Sequence, residues 1–248
     1  MTTKFCGHLA VTASLVMALA MPLTASAQEE ENQGPVWMQV RTVSLNADGV
    51  QTWVELQTQT AEANRENEAA PRDVWQEVRG SLDTFHIVSF NESLAELDPQ
   101  GEDGAGGPPG DWVAAITPTV RERSQTIYRR HRNLTIPTAE GYEPNLLVLN
   151  TTRVRNGQAG AYHDWLENKL NPALEAAGVT GVYYSHMTHG AAGNLCISAR
   201  HVNSWADLDQ RRLAELTGEE RAALFEGVSD MVVNSERRIL QFRADMSN

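Results

Sequence analysis

An α+β fold made of two successive β-α-β-β-α-β units is predicted by three features of the sequence. The first is internal similarity. Ser93-Leu94-Ala95-Glu96-Leu97-Asp98 returns as Ser204-Trp205-Ala206-Asp207-Leu208-Asp209, Trp53 as Trp165, Val43 as Val154 and Ile127 as Ile239, all 111 or 112 positions apart. Matches that keep one order and one spacing mark a duplicated unit. The second is a set of short Val-, Ile- and Thr-rich runs bounded by turn residues, the pattern of strands. The third is a helical stripe, Tyr162, Trp165, Leu166, Leu170, Ala173 and Leu174, which repeats every three to four residues.

The elements follow in chain order. Val36–Ser44 is the first strand, and Asn46-Ala47-Asp48-Gly49 turns the chain into a helix from Val50 to about Asn64. Val74–Arg79 and Thr84–Phe90 are two strands of a hairpin through Gly80–Asp83. A helical region starts at Asn91–Leu97 and resumes at Asp111, and Thr126–Arg132 is the fourth strand. The second unit repeats this order. Leu146–Val154 is a strand, the helix runs from about Gly160 to Ala176, and Pro172 inside it is expected to kink it. A hairpin of Gly181–Thr188 and Asn194–His201 follows. Thr217-Gly218-Glu219-Glu220 reads as a capping box for a helix carrying Ala222, Leu224, Val228 and Val232, and Arg238–Ala244 is the last strand. Gly101–Gly110, GEDGAGGPPG, has no counterpart in the second unit and reads as an insert.

Ahead of these units, Lys4, an apolar stretch from Leu9 to Leu23 and the small-x-small triplet Ala25-Ser26-Ala27 have the three-part order of a secretory signal peptide. The expected organisation is therefore a signal peptide at 1–27, a polar leader at 28–34, a first unit at 35–134, a linker at 135–144 and a second unit at 145–248. Export to the periplasm or the medium follows, with no membrane attachment after cleavage. The whole chain has 20 Lys and Arg against 32 Asp and Glu, a net charge of −12. Removing Lys4 with the leader makes it −13, which speaks against a nucleic-acid partner. Cys6 leaves as well, so Cys196 has no partner for an internal disulfide, and its apolar neighbours Leu195 and Ile197 mark it as a buried thiol.

A β-α-β-β-α-β order is the ferredoxin-like unit. Two of them in one chain resemble the dimeric α/β-barrel superfamily, in the style of NIPSNAP-like, EthD-like or antibiotic-biosynthesis monooxygenase-like proteins. The resemblance rests on element order and on the repeat, and spans nearly all of the chain after residue 27. It implies a pseudo-dimeric α/β barrel, two four-stranded sheets facing each other with helices outside. Members of the superfamily include cofactor-free oxygenases, haem enzymes and proteins of unknown activity, so the fold alone assigns no function.

Strand alternation nominates the residues that could line such a barrel. In the first strand Val36, Met38, Val40 and Thr42 form an apolar-to-neutral face suited to packing under helices, and Trp37, Gln39, Arg41 and Val43 form the other. Gln39 and Arg41 align by the repeat with Asn150 and Thr152. Were the polar faces inward, Trp37, Arg41, Trp75, Arg79, Arg129 and Tyr184 would be the ligand-binding residues, and His86, His186 and Glu77 the candidates for proton transfer. Periodicity does not say which face points inward, and the alternative is a set of exterior or ion-paired side chains. No metal site or cofactor is expected. His186 and His189 have an odd spacing that parts them on a strand, and the sequence has no Asp-x-Asp-x-Asp-Gly loop, no phosphate loop and no Gly-x-Ser-x-Gly. Three readings stay open: a binding protein for a small apolar or aromatic molecule, a cofactor-independent oxygenase or isomerase, and an interaction module with a filled barrel.

Overall fold

Eight antiparallel strands close into one barrel in the order β1-β3-β2-β8-β5-β7-β6-β4. The computed structural model describes residues 36–97, 111–143, 145–190, 194–209 and 213–248. The expected signal peptide, the polar leader and the 101–110 insert lie outside them. The strands are β1 (Trp37–Leu45), β2 (Arg72–Arg79), β3 (Thr84–Asn91), β4 (Val120–Arg130), β5 (Leu146–Val154), β6 (Val182–His189), β7 (Asn194–Val202) and β8 (Val232–Phe242). The run β4-β1-β3-β2 and the run β8-β5-β7-β6 share one order. They meet at two seams, β2 with β8 and β4 with β6.

Helices cover the outside of the barrel. Helix α1 (Val50–Glu66) buries Trp53, Gln57, Thr60 and Ala61 against the first run. Trp53 meets Phe85 with ring centroids 4.4 Å apart, beside the fully buried Leu45, Val74 and Met246. Burying one such aromatic side chain contributes roughly 1.5–3 kcal/mol. In the second run α3 (Ala159–Trp165), a π-helical turn (Leu166–Leu170) and α4 (Asn171–Ala176) form one helical stretch. The π turn lies just before Pro172, where the missing N–H and the ring's bulk break the regular ladder. The expected kink is thus a widened turn. Tyr162, Trp165 and Leu166 of this stretch pack on Val182, Tyr184 and Cys196.

Shorter helices complete each run: α2 (Trp112–Ile116), α5 (Trp205–Asp209), α6 (Gly218–Leu224) and α7 (Val228–Met231). The segment around Ser93 and the one around Ser204 use the same local device. Ser93 N–H donates to Glu96 at 3.1 Å and Ser204 N–H donates to Asp207 at 3.1 Å. The capping box of α6 is present, with Glu220 N–H donating to Thr217 Oγ1 and Thr217 N–H to Glu220.

Several sequence expectations need correction. The helix carrying Ala222 through Val232 breaks at Gly227, which takes a left-handed φ of 75°, and Val232 already belongs to β8. β4 and β8 each start six residues earlier than expected. Their first halves, Arg121-Glu122-Arg123-Ser124-Gln125 and Val233-Asn234-Ser235-Glu236-Arg237, are mostly exposed, so they show no apolar alternation. The alignment of β1 with β5 also shifts by two. Leu45 and Val154 are the residues that end each strand at a bulge against the fourth strand, so Val154 matches Leu45 and not Val43.

The face assignment of β1 is reversed. Val43 and Leu45 lie under α1, and Met38, Val40 and Thr42 face the barrel lumen. Both faces of this strand are covered, one by a helix and one by the opposite sheet, so polarity did not distinguish them.

Candidate functional site

The barrel is not filled by its own side chains. Its lumen holds a cavity of about 490 Å³, within the size range of small-molecule sites. Each strand contributes alternate residues. Met38, Val40, Val88, Leu147, Leu149, Ile197, Ala199 and Leu240 make an apolar wall, and Trp75, Phe90, Tyr128 and Tyr183 supply aromatic faces. Arg130 lies near the Phe90 and Tyr183 rings, 5.3 and 5.5 Å from their centroids, an arrangement favourable to a cation. His201 borders the cavity too. It sits edge-on to Trp75 and accepts from or donates to Tyr142 Oη at 3.1 Å, and burial pushes its pKa down to about 4.

The chemistry concentrates at the end of the lumen where β1 and β2 finish. Thr42 and His86 face each other across the β1–β3 ladder, and Trp75 faces His86 across β2–β3. His86 Nε2 lies 3.0 Å from Glu77 Oε1, and His86 Nδ1 lies 3.0 Å from Thr42 Oγ1. Glu77 is 2% exposed and has two further donors, Arg238 Nη1 at 3.0 Å and the Ser81 N–H at 3.1 Å. Burial raises the carboxyl pKa, but the hydrogen bonds from His86 and Ser81 and the Arg238 charge outweigh it and hold Glu77 below its ordinary range. An ionised carboxylate only accepts, so His86 Nε2 carries the proton toward Glu77, and in the neutral tautomer this fixes Nδ1 as the acceptor of the Thr42 hydroxyl. The result is an oriented base with a hydroxyl at its free nitrogen.

A smaller hollow of about 240 Å³ adjoins this end, lined by Thr42, Ser44, Glu77, Ser81, Thr84, Glu122, Ser124 and Arg238. Thr42 and Arg238 border both spaces. The chain at Gly80 makes the arrangement possible. Its φ is 130°, and a Cβ there would lie 2.5 Å from Glu77 Oε2.

In the second run the equivalent ladder positions carry other chemistry. Counting each strand from its matched end, Thr151 stands for Thr42, Ile197 for His86 and Met187 for Glu77. The carboxylate–imidazole pair is confined to one run.

The nominated residues divide in two. Trp75, Glu77 and His86 face the lumen or its end. Trp37, Arg41, Arg79, Arg129, Tyr184 and His186 do not line it. Trp37 and Arg41 belong to the outer face of β1, and Arg79 stacks over Trp205 at 5.5 Å outside. Arg129 is exposed, and its neighbour Arg130 lines the cavity instead. Tyr184 is buried under the helical stretch, and Tyr183 takes the lumen position. For Trp37, Arg41, Arg129, Tyr184 and His186 the strand parity is off by one residue, which turns the side chain to the opposite face. Arg79 shares the parity of Trp75 and Glu77 and is turned out by the irregularity between Glu77 and Arg79. Arg130, Tyr128, Tyr183 and Thr42 went unnominated for the same parity reason, and Arg238 because the strand that carries it was expected to begin there and no face was assigned to it.

His186 enters a different group on the outer side of the second run. Its Nδ1 lies 2.7 Å from His131 Nε2, and His163 stacks edge-on to His131 with centroids 4.1 Å apart. His189 is elsewhere, exposed and next to Thr188. Among the described residues no set of three or more His, Cys, Asp or Glu side chains is arranged to hold a metal ion. Cys196 is buried beside His163, and burial pushes its thiol up to about 11, so it stays protonated.

No family model matches the sequence, and no curated protein matches it. Solved structures do share the architecture. An anthrone oxidase-like protein superposes with a TM-score of 0.58 at 13% identity, covering 86% of this chain and 93% of that one. A monooxygenase-like protein from Lactobacillus acidophilus gives 0.56 at 10% identity, with 86% and 95% covered. Chlorite dismutase from Candidatus Nitrospira defluvii, in complex with imidazole, gives 0.52 at 9% identity, with 89% and 96% covered. At these identities the likeness is one of architecture. The chain shares with these structures an α+β fold built on a closed eight-stranded antiparallel barrel, whose strands here all belong to one polypeptide.

Proposed function

We propose that this protein binds a small molecule with an apolar or aromatic body in the barrel lumen, and that His86, oriented by Glu77, moves a proton on it. The observation that carries this reading is the Glu77–His86–Thr42 chain at the end of an aromatic-walled cavity of about 490 Å³. An imidazole oriented by a buried carboxylate, with its other nitrogen at the Thr42 hydroxyl, has the arrangement of a general base. Arg130 and Arg238 bring guanidinium groups to a wall that also carries Asp73 and Glu236. Arg238 is held by Glu77 and Glu236, and Arg130 is the group placed to stabilise a developing anionic oxygen. This supports an isomerase or cofactor-independent oxygenase chemistry over storage alone. The known structures that share the fold support a small ligand only in general terms, since one of them is a complex with imidazole.

The proposal extends to organisation. The chain is read as two ferredoxin-like repeats in tandem, at 35–134 and 145–248, nearest in style to NIPSNAP-like, EthD-like or antibiotic-biosynthesis monooxygenase-like proteins. The shared strand order and the paired Ser93–Glu96 and Ser204–Asp207 bonds support a duplication. Export with cleavage after Ala27 is part of the same reading, resting on the residue pattern of 1–27.

The test is binding of the environment-sensitive dye 1-anilinonaphthalene-8-sulfonate by the purified protein. Ala199 lies on the lumen wall, so Ala199→Trp fills the cavity and is expected to abolish dye binding while far-ultraviolet circular dichroism is unchanged. Undiminished dye binding by a folded Ala199→Trp variant would refute the lumen as the site.

A further inference from the structure

We infer that Thr42 is a nucleophile and that the lumen carries out acyl transfer from small esters, an inference that rests on the lumen being the ligand site. Three groups stand in the order that activates a hydroxyl. Thr42 Oγ1 is 3.0 Å from His86 Nδ1, His86 Nε2 is 3.0 Å from Glu77 Oε1, and Glu77 is fixed from its other oxygen by the Ser81 N–H. A nucleophile within reach of a base that a third group orients is the general signature of covalent catalysis.

Access and asymmetry separate this hydroxyl from an ordinary strand threonine. Thr42 borders both the lumen and the hydroxyl-lined hollow beyond it, so an acyl group can occupy the apolar side and a leaving alcohol the polar side. Arg238 borders the same two spaces, its guanidinium held by Glu77 and Glu236, and is the cation that a forming oxyanion beside Thr42 would meet. In the second run Thr151 occupies the matching position, but Ile197 replaces the imidazole and Met187 the carboxylate. Closing the barrel therefore does not require the chain of three.

The step balances without any further reagent than water. As Thr42 Oγ1 adds to the ester carbonyl carbon, its proton passes to His86 Nδ1. The carbon–oxygen bond to the leaving alcohol then breaks, and the alcohol leaves with that proton. Water adds to the acyl-threonine by the same route, releasing the carboxylic acid and restoring the Thr42 hydroxyl.

The experiment uses p-nitrophenyl acetate and p-nitrophenyl benzoate with the purified protein, with anilinonaphthalene sulfonate binding measured in parallel. The expected result is a burst of nitrophenolate approaching one per chain and an acyl adduct on Thr42 by peptide mass spectrometry. Thr42→Ser keeps the burst, Thr42→Val removes it, and His86→Ala slows it by roughly 10²–10⁴-fold with the dye still bound. Dye binding without a burst, or an adduct at another residue, would overturn the nucleophile and leave the binding site standing. Loss of dye binding to the Ala199→Trp variant together with a Thr42 adduct in the unmodified protein supports both readings. A burst that persists in Thr42→Val with the dye bound also overturns this inference.

Discussion

Glu77 on β2 and Arg238 on β8 form a 3.0 Å ion pair across one of the two seams that join the barrel's sheets, with the carboxylate 2% exposed and the guanidinium 34% exposed. At the other seam Tyr128 stands opposite Met187, where no charge is involved. The pair thus ties one seam while its carboxylate also orients His86, and the same atom serves closure and chemistry.

Replacing Glu77 with Gln keeps the volume but leaves three donors, His86, Arg238 and the Ser81 N–H, facing a neutral amide. Breaking a fully buried pair costs about 3–5 kcal/mol, and the partial exposure of Arg238 reduces this to roughly 2–3 kcal/mol. Urea denaturation of Glu77→Gln should show a lower midpoint with an unchanged slope. A midpoint equal to that of the parent protein would mean that water replaces the pair at no cost.

Gly80 has a positive φ and no room for a side chain on the carboxylate side. Glu77 cannot swing away freely, because the Ser81 N–H and Arg238 both hold it. Gly80→Ala is therefore expected to cost about 1–3 kcal/mol and to displace the carboxylate from His86. The His86 ring resonances, followed by NMR, should move in this variant, whereas Gly160→Ala, where a Cβ meets nothing within 4 Å, should leave them in place.

Acid should destabilise the protein well above the range where carboxylates protonate. Burial, then repulsion from His163, His186 and Arg129, holds His131 at about 4, and burial first lowers His163 and His186 too. Asp164 works in the opposite sense on His163, and the neighbouring Cys196 stays neutral. Burial likewise takes His201 to about 4. In the unfolded chain these rings protonate near 6.5. Between about 6.5 and 4 the unfolded state binds more protons, so stability falls as pH falls through that window. Denaturation midpoints at pH 7, 6 and 5 should decrease in order, and His131→Gln should flatten the decline. A midpoint independent of pH over this range would show that the rings stay accessible to water.

Trp53 and Trp165 anchor the first helix of each run. Trp53 is 1% exposed against Phe85, and Trp165 donates from Nε1 to the Leu224 carbonyl at 2.8 Å. Truncation of either to Ala should cost about 3–5 kcal/mol, with Trp165→Ala also leaving the Leu224 carbonyl unpaired. Thermal unfolding of the two single variants checks both values, and a loss below about 1 kcal/mol at either site would mean that the helix is held by its other contacts.

The sequence by itself determined which elements form and their order. Apolar periodicity, Gly80, the Thr217–Glu220 box and the spaced pairs Trp53/Trp165 and Ile127/Ile239 are local or strictly periodic signals, and they place the eight strands in order, with β4 and β8 the two whose starts lie six residues before the apolar pattern. It also nominated Glu77 and Trp75, because their strand has Val74 and Val78 on one side and polar groups on the other, and His86 as an imidazole for proton transfer. Only the tertiary structure decided which way β1, β4 and β6 face, and hence that Thr42, Tyr128, Arg130 and Tyr183 line the lumen while Trp37, Arg41, Arg129, Tyr184 and His186 do not. β1 and β6 are covered on both sides and β4 is largely exposed, so in none of them does polarity mark the inner face, and a parity error of one residue reverses every assignment. The meeting of Glu77 with Arg238 likewise needs barrel closure, which brings together residues 161 positions apart that no local pattern connects.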